Sequence, residues 1–478
     1  MLFPTIDFAV FFVVVFTGSW ILRPHRRAWR WFILAASCVF YGWWDWNFLY
    51  LLLASIGINW LFGVVIHRAL TPDGERTPLS IWLVRAAVVV NLGILGYFKY
   101  FSFFVSAVAD RLDSLGISVS APVLRIVLPV GISFFTFQAL SYVIDIGRGH
   151  WRRPLPLLDF AVYLSFFAHL VAGPIVRASE FVPQLDHIPD PRYVRASEAF
   201  MLIFRGMFKK VVISSFLATQ IVDPVFRLPG AYDRWEVLWA IYAYAIQIYA
   251  DFSGYTDIAI GVALLLGIRF PLNFDAPYTA TSLQDFWRRW HMTLSRWLRD
   301  YLYIPLGGNR GSKLFTYRNL FLVMLLGGLW HGANWTFVIW GSIHGGYLIG
   351  ERVVKERWVG HERGVPPRVV KVLQWFLTFN VVCLAWVFFR APSVSDAFAV
   401  LWRLVVGTGS DANVTLLLIL VVLASLASQF VPERFPKRAE RWFGGLAPIL
   451  QIAALALGLV MIDALGPEGV APFIYFQF

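Results

Sequence analysis

The stretch 327–335, GGLWHGANW, lies inside the longest uncharged run of the chain: from Asn319 to Gly350 there is no Asp, Glu, Lys or Arg. His331 stands in its middle, between Trp330 and Gly332. As one helix the run would be about 48 Å long at about 1.5 Å per residue, more than the about 30 Å of a bilayer's hydrocarbon core. It must therefore break, and Gly327-Gly328 or Gly332-Ala333-Asn334 are the natural places. The run also holds two G-x-x-H-G units, GLWHG at 328–332 and GSIHG at 341–345. Small residues four apart let helix backbones approach closely, so each unit sets a histidine beside a tight crossing. His344 reads as a hydrogen-bonded packing residue. His331, next to the break, reads as facing a water-accessible cavity, where desolvation disfavours imidazolium and leaves a neutral ring able to take a proton.

The rest of the chain has the same character. It is 478 residues long, 58% hydrophobic and 15% charged, where a soluble protein carries roughly a quarter charged residues. Apolar runs recur from end to end and are continuous, not alternating, which excludes a β-barrel and gives an all-α polytopic membrane protein. Segments long enough to be candidate spans are 5–22, 46–66, 81–96, 126–146, 157–175, 200–222, 236–250, 255–268, 317–330, 333–350, 373–389, 413–430 and 447–464, with 31–42 and 98–109 marginal. About ten to twelve true spans are expected, with interfacial or re-entrant helices beside them. No internal repeat is visible, and the polar connectors 176–197 and 351–371 are too short to be domains. Residues 1–478 therefore read as a single membrane domain.

A formal charge of +12 raises the question of nucleic acid. Its distribution answers it: the cations sit in short segments between apolar runs, at RPHRRAWR (23–30), GRGHWRR (147–153) and RWLRDYLYIPLGGNRGSK (296–313). That is the pattern of cytoplasmic loops under the positive-inside rule, and no nucleic-acid fold signature accompanies it. Cys38 and Cys383 fall in apolar segments and make neither a disulfide framework nor a zinc site. The N-terminal segment carries its cations after the apolar run and has no cleavage-like site, so it reads as a retained span with Met1 outside.

Polar groups at membrane depth must find partners or line a wet cavity. In YAYAIQIYADFSGYTDIAIG (242–261), Tyr244, Gln247, Asp251 and Tyr255 share a helical face. A central carboxylate costs on the order of 3 kcal/mol, so this face does not look at lipid. It is either interhelical hydrogen-bond glue or a cavity wall, and Ser253-Gly254 is a possible break before Asp257. Gln138, Ser141 and Asp145 make a weaker stripe of the same kind. In SLQDFWRRWHMTLSRWLRDYLYIPLGGNR (282–310), Ser282 and Asp285 have capping-box spacing. A helix from there gives an apolar face of Leu283, Phe286, Trp290, Leu294 and Trp297, with Arg288, Arg289, Arg296 and Arg299 away from it and His291 at the boundary. Such a helix either anchors in the membrane interface or offers its arginines to an anionic donor, since the planar guanidinium suits phosphate. Trp330 and Asn334, beside His331, complete the candidate cavity lining. No G-x-S-x-G elbow, P-loop, dinucleotide glycine pattern or H-E-x-x-H is present, and no ligand cluster suggests a metal. Histidine as general base is the chemistry left.

These residues carry a resemblance. LPVGISFFTFQALSYVIDIGRG, LVAGPIVRASEFVPQL, DFSGYTDIAIG, IRFPLNFDAPY, FWRRWHMTLSRWLRDYLYIPLGGNR and GLWHGANWTFVIWGSIHG resemble the membrane-bound O-acyltransferase (MBOAT) family, most densely over 129–346. AWVFFRAPSVSDA and the final PFIYFQF are similar to its bacterial alginate O-acetylation branch. The resemblance implies acyl transfer across the membrane, with the family's two activity-linked histidines falling on His331 and His291. It further implies acetyl-CoA as a donor that is not tightly bound, an exported polysaccharide as final acceptor, a periplasmic SGNH-type acetyltransferase as partner, and the bacterial inner membrane as location. D-alanyl or other acyl transfer to a cell-wall polymer is the alternative within the family. A lipid-linked sugar transporter would also suit an intramembrane Asp251 and broken helices, and a scaffold would use His331 only for packing.

Overall fold

The computed structural model describes residues 1, 3–116, 127–171, 173–187, 189–190, 194–358, 367–409, 413–467 and 474. Among these residues the regular structure is all helical, with no strand. The chain divides into two compact units, Met1–Arg195 with Val262–Pro271, and Ala196–Gly261 with Leu272–Phe478.

The first unit contains α1 (Ile6–Leu22), α2 (Arg26–Gly42), α3 (Trp46–Arg68), α4 (Pro78–Asp113), α5 (Ile132–Gly147) and α6 (Leu157–Ser165). Thr5 and Asp45 cap α1 and α3 by accepting from Phe8 N at 3.2 Å and Asn47 N at 2.8 Å. Segments 81–96 and 98–109 are one helix, α4, because no proline separates them and Lys99 alone does not interrupt the ladder. Segment 157–175, expected as one span, stops at Ser165 and resumes only for the turn Phe167–Leu170. Side chains there supply what the helix ladder would: Ser37 Oγ accepts from Phe167 N at 3.2 Å, and His169 Nε2 lies 2.9 Å from Tyr163 O. At depth, Asn59 and Asn91 bond reciprocally, amide to amide, at 3.0 and 2.8 Å, tying α3 to α4. The basic segment 23–30 is loop only up to His25, since α2 starts at Arg26; Arg23 lies 3.8 Å over the Trp29 ring, and Arg30 in α2 bridges Asp159 and Asp186 at 2.9 and 2.7 Å.

The second unit begins with α7 (Ala196–Met207), which runs on through π-helical turns at Phe208–Ser214 and Ala218–Val222. α8 (Arg234–Leu265) follows, its last residues counted with the first unit. Then come α9 (Leu283–Arg289), α10 (Met292–Leu298), α11 (Lys313–His331), α12 (Trp335–Trp358), α13 (Pro367–Arg390), α14 (Val394–Val406), α15 (Leu416–Ser428), α16 (Arg434–Gly444) and α17 (Pro448–Leu465). Among the described residues, five helices have the length and composition to cross a membrane: α3, α4, α8, α13 and α17; α1, α5 and α15 are shorter apolar helices.

Ser253-Gly254 does not break α8, so segments 236–250 and 255–268 are not separate spans. Gly254 serves instead as a contact point. A Cβ there would lie 2.8 Å from Gly206 O, and one on Gly206 would lie 2.5 Å from Gly254 O, so α7 and α8 cross with their backbones touching.

The long uncharged run breaks at 332–334 and folds back as the α11–α12 hairpin, while Gly327 and Gly328 stay helical. Asn334 builds the return: its Oδ1 accepts from Thr336 N at 3.0 Å, and its Nδ2 donates to Pro392 O at 2.7 Å. The two glycine units pack the hairpin shut. A Cβ on Gly328 would sit 2.3 Å from Phe337 O, and one on Gly341 would sit 2.5 Å from Met324 O.

Candidate active site

The hairpin places His331 at the last turn of α11, buried among aromatic rings. Ring centroids of Trp330, Trp340 and Phe389 lie 5.0, 5.1 and 5.0 Å away, and Phe337 is stacked at 6.4 Å. Gly332 is required by this enclosure, since a Cβ would come within 2.1 Å of the Phe337 ring. Behind the first rings, Trp340 stacks on Trp386 at 5.9 Å. Trp386 Nε1 donates to Tyr278 Oη at 3.1 Å, and Tyr278 Oη donates to Ala245 O of α8 at 2.6 Å. His344 belongs to the same wall: its ring is 4.6 Å from Trp340, and its Nδ1 accepts from Trp287 Nε1 at 3.3 Å.

His291 is set by a backbone feature that the helical pattern of 282–310 concealed. That segment is not one helix. α9 ends at Arg289, Trp290 is extended, and His291 takes a left-handed conformation at φ +42° before α10 starts. A side chain in that region is unfavourable and persists where surroundings over-determine it. Here Met292 N donates to Asn273 O at 2.9 Å, and Asp275 N to Arg289 O at 2.9 Å, pinning the turn to the 273–275 loop. The His291 ring is wholly buried, with the Phe252 ring edge-on at 4.7 Å and its Nδ1 3.1 Å from Asn273 Oδ1. Trp330 is 6.2 Å from His291 and 5.0 Å from His331, so one indole neighbours both imidazoles.

The start of α9 is capped as the spacing suggested, with Ser282 Oγ accepting from Asp285 N at 3.1 Å. Asp285 does not reciprocate; its carboxylate bonds Arg289 at 3.1 Å. Glu351, the first charge after the uncharged run, adds the second cap by accepting from Leu283 N at 2.6 Å and Gln284 N at 3.3 Å. Leu283, Phe286, Trp290, Leu294 and Trp297 are buried within the unit and do not face outward as a membrane anchor. Of the four arginines, Arg288 is exposed, Arg296 is half-buried, Arg289 is held by Asp285, and Arg299 bonds Asp300 at 2.6 Å.

The other candidates lie elsewhere in the unit. α8 presents Tyr249 and Phe252 to Trp290 and His291. Asp251, about 100° around the helix, meets Lys210 Nζ at 2.6 Å and accepts from Ile474 N at 2.8 Å. Both side chains of that ion pair are almost fully buried. Asp257 takes Arg205 at 2.7 Å and Lys209 at 2.9 Å. Gln247 is buried on the Asp251 face, and its Oε1 has no donor among the described residues. Asn334 is the turn residue described above. The structure thus brings His331, Trp330 and His291 together, and gives Asp251 a different partner.

Arg205, Lys209, Lys210 and Asn273 were missed in the sequence. The cations were visible as RGMFKK within the apolar segment 200–222, where three charges ask for counter-charges. Asn273 had only its place in the quoted IRFPLNFDAPY. Among the described residues no group of three His, Cys, Asp or Glu is placed to hold a metal ion.

Comparison with known proteins fits this architecture. Residues 148–391 match the membrane-bound O-acyltransferase family. The chain is 39% identical to a probable alginate O-acetylase of Azotobacter vinelandii, covering 100% of both chains. It is 43% identical to a probable alginate O-acetylase of Pseudomonas aeruginosa, over 84% of this chain and 74% of that one. It is 38% identical to a peptidoglycan O-acetyltransferase of Helicobacter pylori, over 82% and 77% respectively. All-helical, rich in apolar helices and matched across its site-bearing region, the chain belongs to the membrane-bound O-acyltransferase family, in the branch of the alginate O-acetylation membrane proteins, and is a multi-pass membrane acyltransferase.

Proposed function

We propose that this protein carries an acetyl group from cytoplasmic acetyl-CoA across the bacterial inner membrane for O-acetylation of an exported, alginate-like polysaccharide. One observation carries the reading: His331 ends α11 inside an aromatic enclosure, with the Trp330 indole in reach of both it and His291. The names of the relatives, alginate O-acetylase and peptidoglycan O-acetyltransferase, support O-acyl transfer to a polysaccharide.

In the proposed step, neutral His331 removes the proton of the acceptor hydroxyl as its oxygen attacks the thioester carbonyl carbon. The carbon–sulfur bond then breaks, and the leaving thiolate takes the proton from the imidazolium, regenerating the base. General-base assistance of this kind contributes about 10²–10⁴-fold. Arg288, Arg289, Arg296 and Arg299 are proposed to meet the phosphates of the donor, with Arg288 the most available of them because it is exposed while Arg289 and Arg299 are held by Asp285 and Asp300. Asp251 and Gln247 are assigned to the support of α8, and Asn334 to the turn that presents His331. A periplasmic SGNH-type acetyltransferase receives the acetyl group and passes it to the polymer.

The test is His331→Ala in membranes supplied with labelled acetyl-CoA. The variant should insert at the normal level and transfer no label. Retained transfer removes His331 as the base, and wild-type membranes that ignore acetyl-CoA but use an aminoacyl carrier establish the D-alanyl reaction instead.

A further inference from the structure

His291 has two ring nitrogens, and which one carries the proton decides what the ring can do. Asn273 answers the question. Its side chain is wholly buried, and its Oδ1 lies 2.8 Å from Thr293 Oγ1, 3.2 Å from Thr293 N and 3.1 Å from His291 Nδ1. A backbone N–H can only donate, so the Asn273 atom facing Thr293 N is the carbonyl oxygen and the amide is not reversed. A carbonyl oxygen can only accept, so the His291 nitrogen beside it must bear a hydrogen. The amide nitrogen points the other way, 3.5 Å from Thr256 Oγ1.

We propose that Asn273 is a positioning residue that locks neutral His291 as the Nδ1–H tautomer, leaving Nε2 as its basic, accepting nitrogen. The assignment rests on the acyl-transfer reading above and narrows it. With Nδ1–H committed to Asn273, the neutral ring has no second N–H to offer. His291 therefore does not donate to the developing oxyanion of the thioester. It accepts, and the substrate group that meets it is an O–H or N–H, of the class of an acceptor hydroxyl or a donor-chain amide. The left-handed turn serves the same end, because Met292 N bonds Asn273 O at 2.9 Å and so one loop residue holds both the backbone and the ring.

Nitrogen NMR of protein labelled with ¹⁵N-histidine tests this, with His291→Gln identifying the ring's signals by difference. The wild type should show one protonated nitrogen at His291, coupled strongly to a single ring C–H as Nδ1 is, and one bare nitrogen coupled to both. Asn273→Asp keeps an accepting oxygen and should keep that signature and most of the activity. Asn273→Leu should populate the other tautomer and lower kcat on the order of 10²-fold through misplacement of the ring, with membrane levels unchanged. A wild-type ring carrying its proton on Nε2, or on both nitrogens, overturns the proposal without need of any Asn273 variant. So does an Asn273→Leu protein whose His291 signals do not move. If the signature is as expected and His291→Gln still transfers acetyl at full rate, the tautomer lock stands and the place of His291 in the acyl-transfer reading falls.

Discussion

Two sets of polar side chains lie among the apolar helices of the second unit, and they are satisfied in opposite ways. Along the α7–α8 crossing, every charge meets a counter-charge: Asp251 with Lys210, Asp257 with Arg205 and Lys209. Around the α11–α12 hairpin, the titratable groups are imidazoles walled by indoles and phenyl rings, and their orientation comes from amide and ring contacts. The first arrangement cancels charge and fixes a backbone contact. The second buries imidazoles among aromatic rings and holds their geometry through ring and amide contacts. Polarity at membrane depth is thus not in itself a sign of chemistry; what distinguishes the two sets is whether a partner already consumes the reactive form.

A pair of variants with opposite phenotypes should tell the two sets apart. His331→Gln should lower acetyl transfer by about 10²–10⁴-fold and leave the unfolding midpoint in detergent where it was. Lys210→Met should do the reverse. It strands Asp251 as an uncompensated buried charge, at a cost of about 3–5 kcal/mol, read as lower yield and a lower midpoint. Lys210→Met with Asp251→Leu should recover most of that loss, because an apolar pair of similar volume replaces a buried ion pair at little cost. If the double variant were folded but inactive, the ion pair would belong with the chemistry and the distinction would be wrong.

Backbone contacts divide the two helix crossings in the same way. Gly341→Leu meets Met324 O and the Leu325 backbone, so α11 and α12 must separate. Overpacking of this kind typically costs about 1–3 kcal/mol or more, and the displaced hairpin should carry His331 out of register. Gly206→Leu meets Gly254 O in the same manner. It should cost comparable stability while the protein that does fold keeps its turnover per molecule, measured on purified, quantified enzyme.

Much of this was legible in sequence, and the reasons are physical. A run longer than a bilayer has to break, so the uncharged stretch announced a turn and its glycines marked where; the choice between 327–328 and 332–334 depended on Asn334, whose bonds to Thr336 and Pro392 make the turn. Composition gave the membrane class, and the continuity of the apolar runs gave helices. What the pattern could not give was anything settled by a distant partner. Residues 282–310 have unbroken helical periodicity, yet His291 leaves the helix because Asn273, eighteen positions earlier, takes over its ring and the next backbone N–H. Ser253-Gly254 offered a possible break in α8, a local weakness that Gly206 on another helix converts into a packing surface. Asp251 was readable as needing a partner; that the partner is Lys210 depends on α7, read as plain apolar span.

Glu351 falls between the two sets. It is a carboxylate within α12, where the uncharged part of that helix gives way to its charged last turns, and it accepts from Leu283 N and Gln284 N at the start of α9. Like Asp251 it is a charge with a structural duty, but its partners are two backbone donors of the element that leads into His291. Helix caps are worth about 1 kcal/mol, and Ser282 supplies part of this one already. Glu351→Gln keeps one accepting oxygen and should cost under about 1 kcal/mol, with transfer slowed a few-fold at most. Glu351→Leu removes both bonds and should cost about the full cap. If duty at α9 is purely structural, both variants lower the unfolding midpoint in proportion and their rates per folded molecule stay equal. If α9 positions His291, the Leu variant should lose rate beyond its loss of stability, and a matched loss at Asn273 on the other side of the same turn would place the two residues in one support. Measuring kcat beside the midpoint for both variants separates these outcomes, and it extends the comparison from side chains that react or cancel to those that only hold.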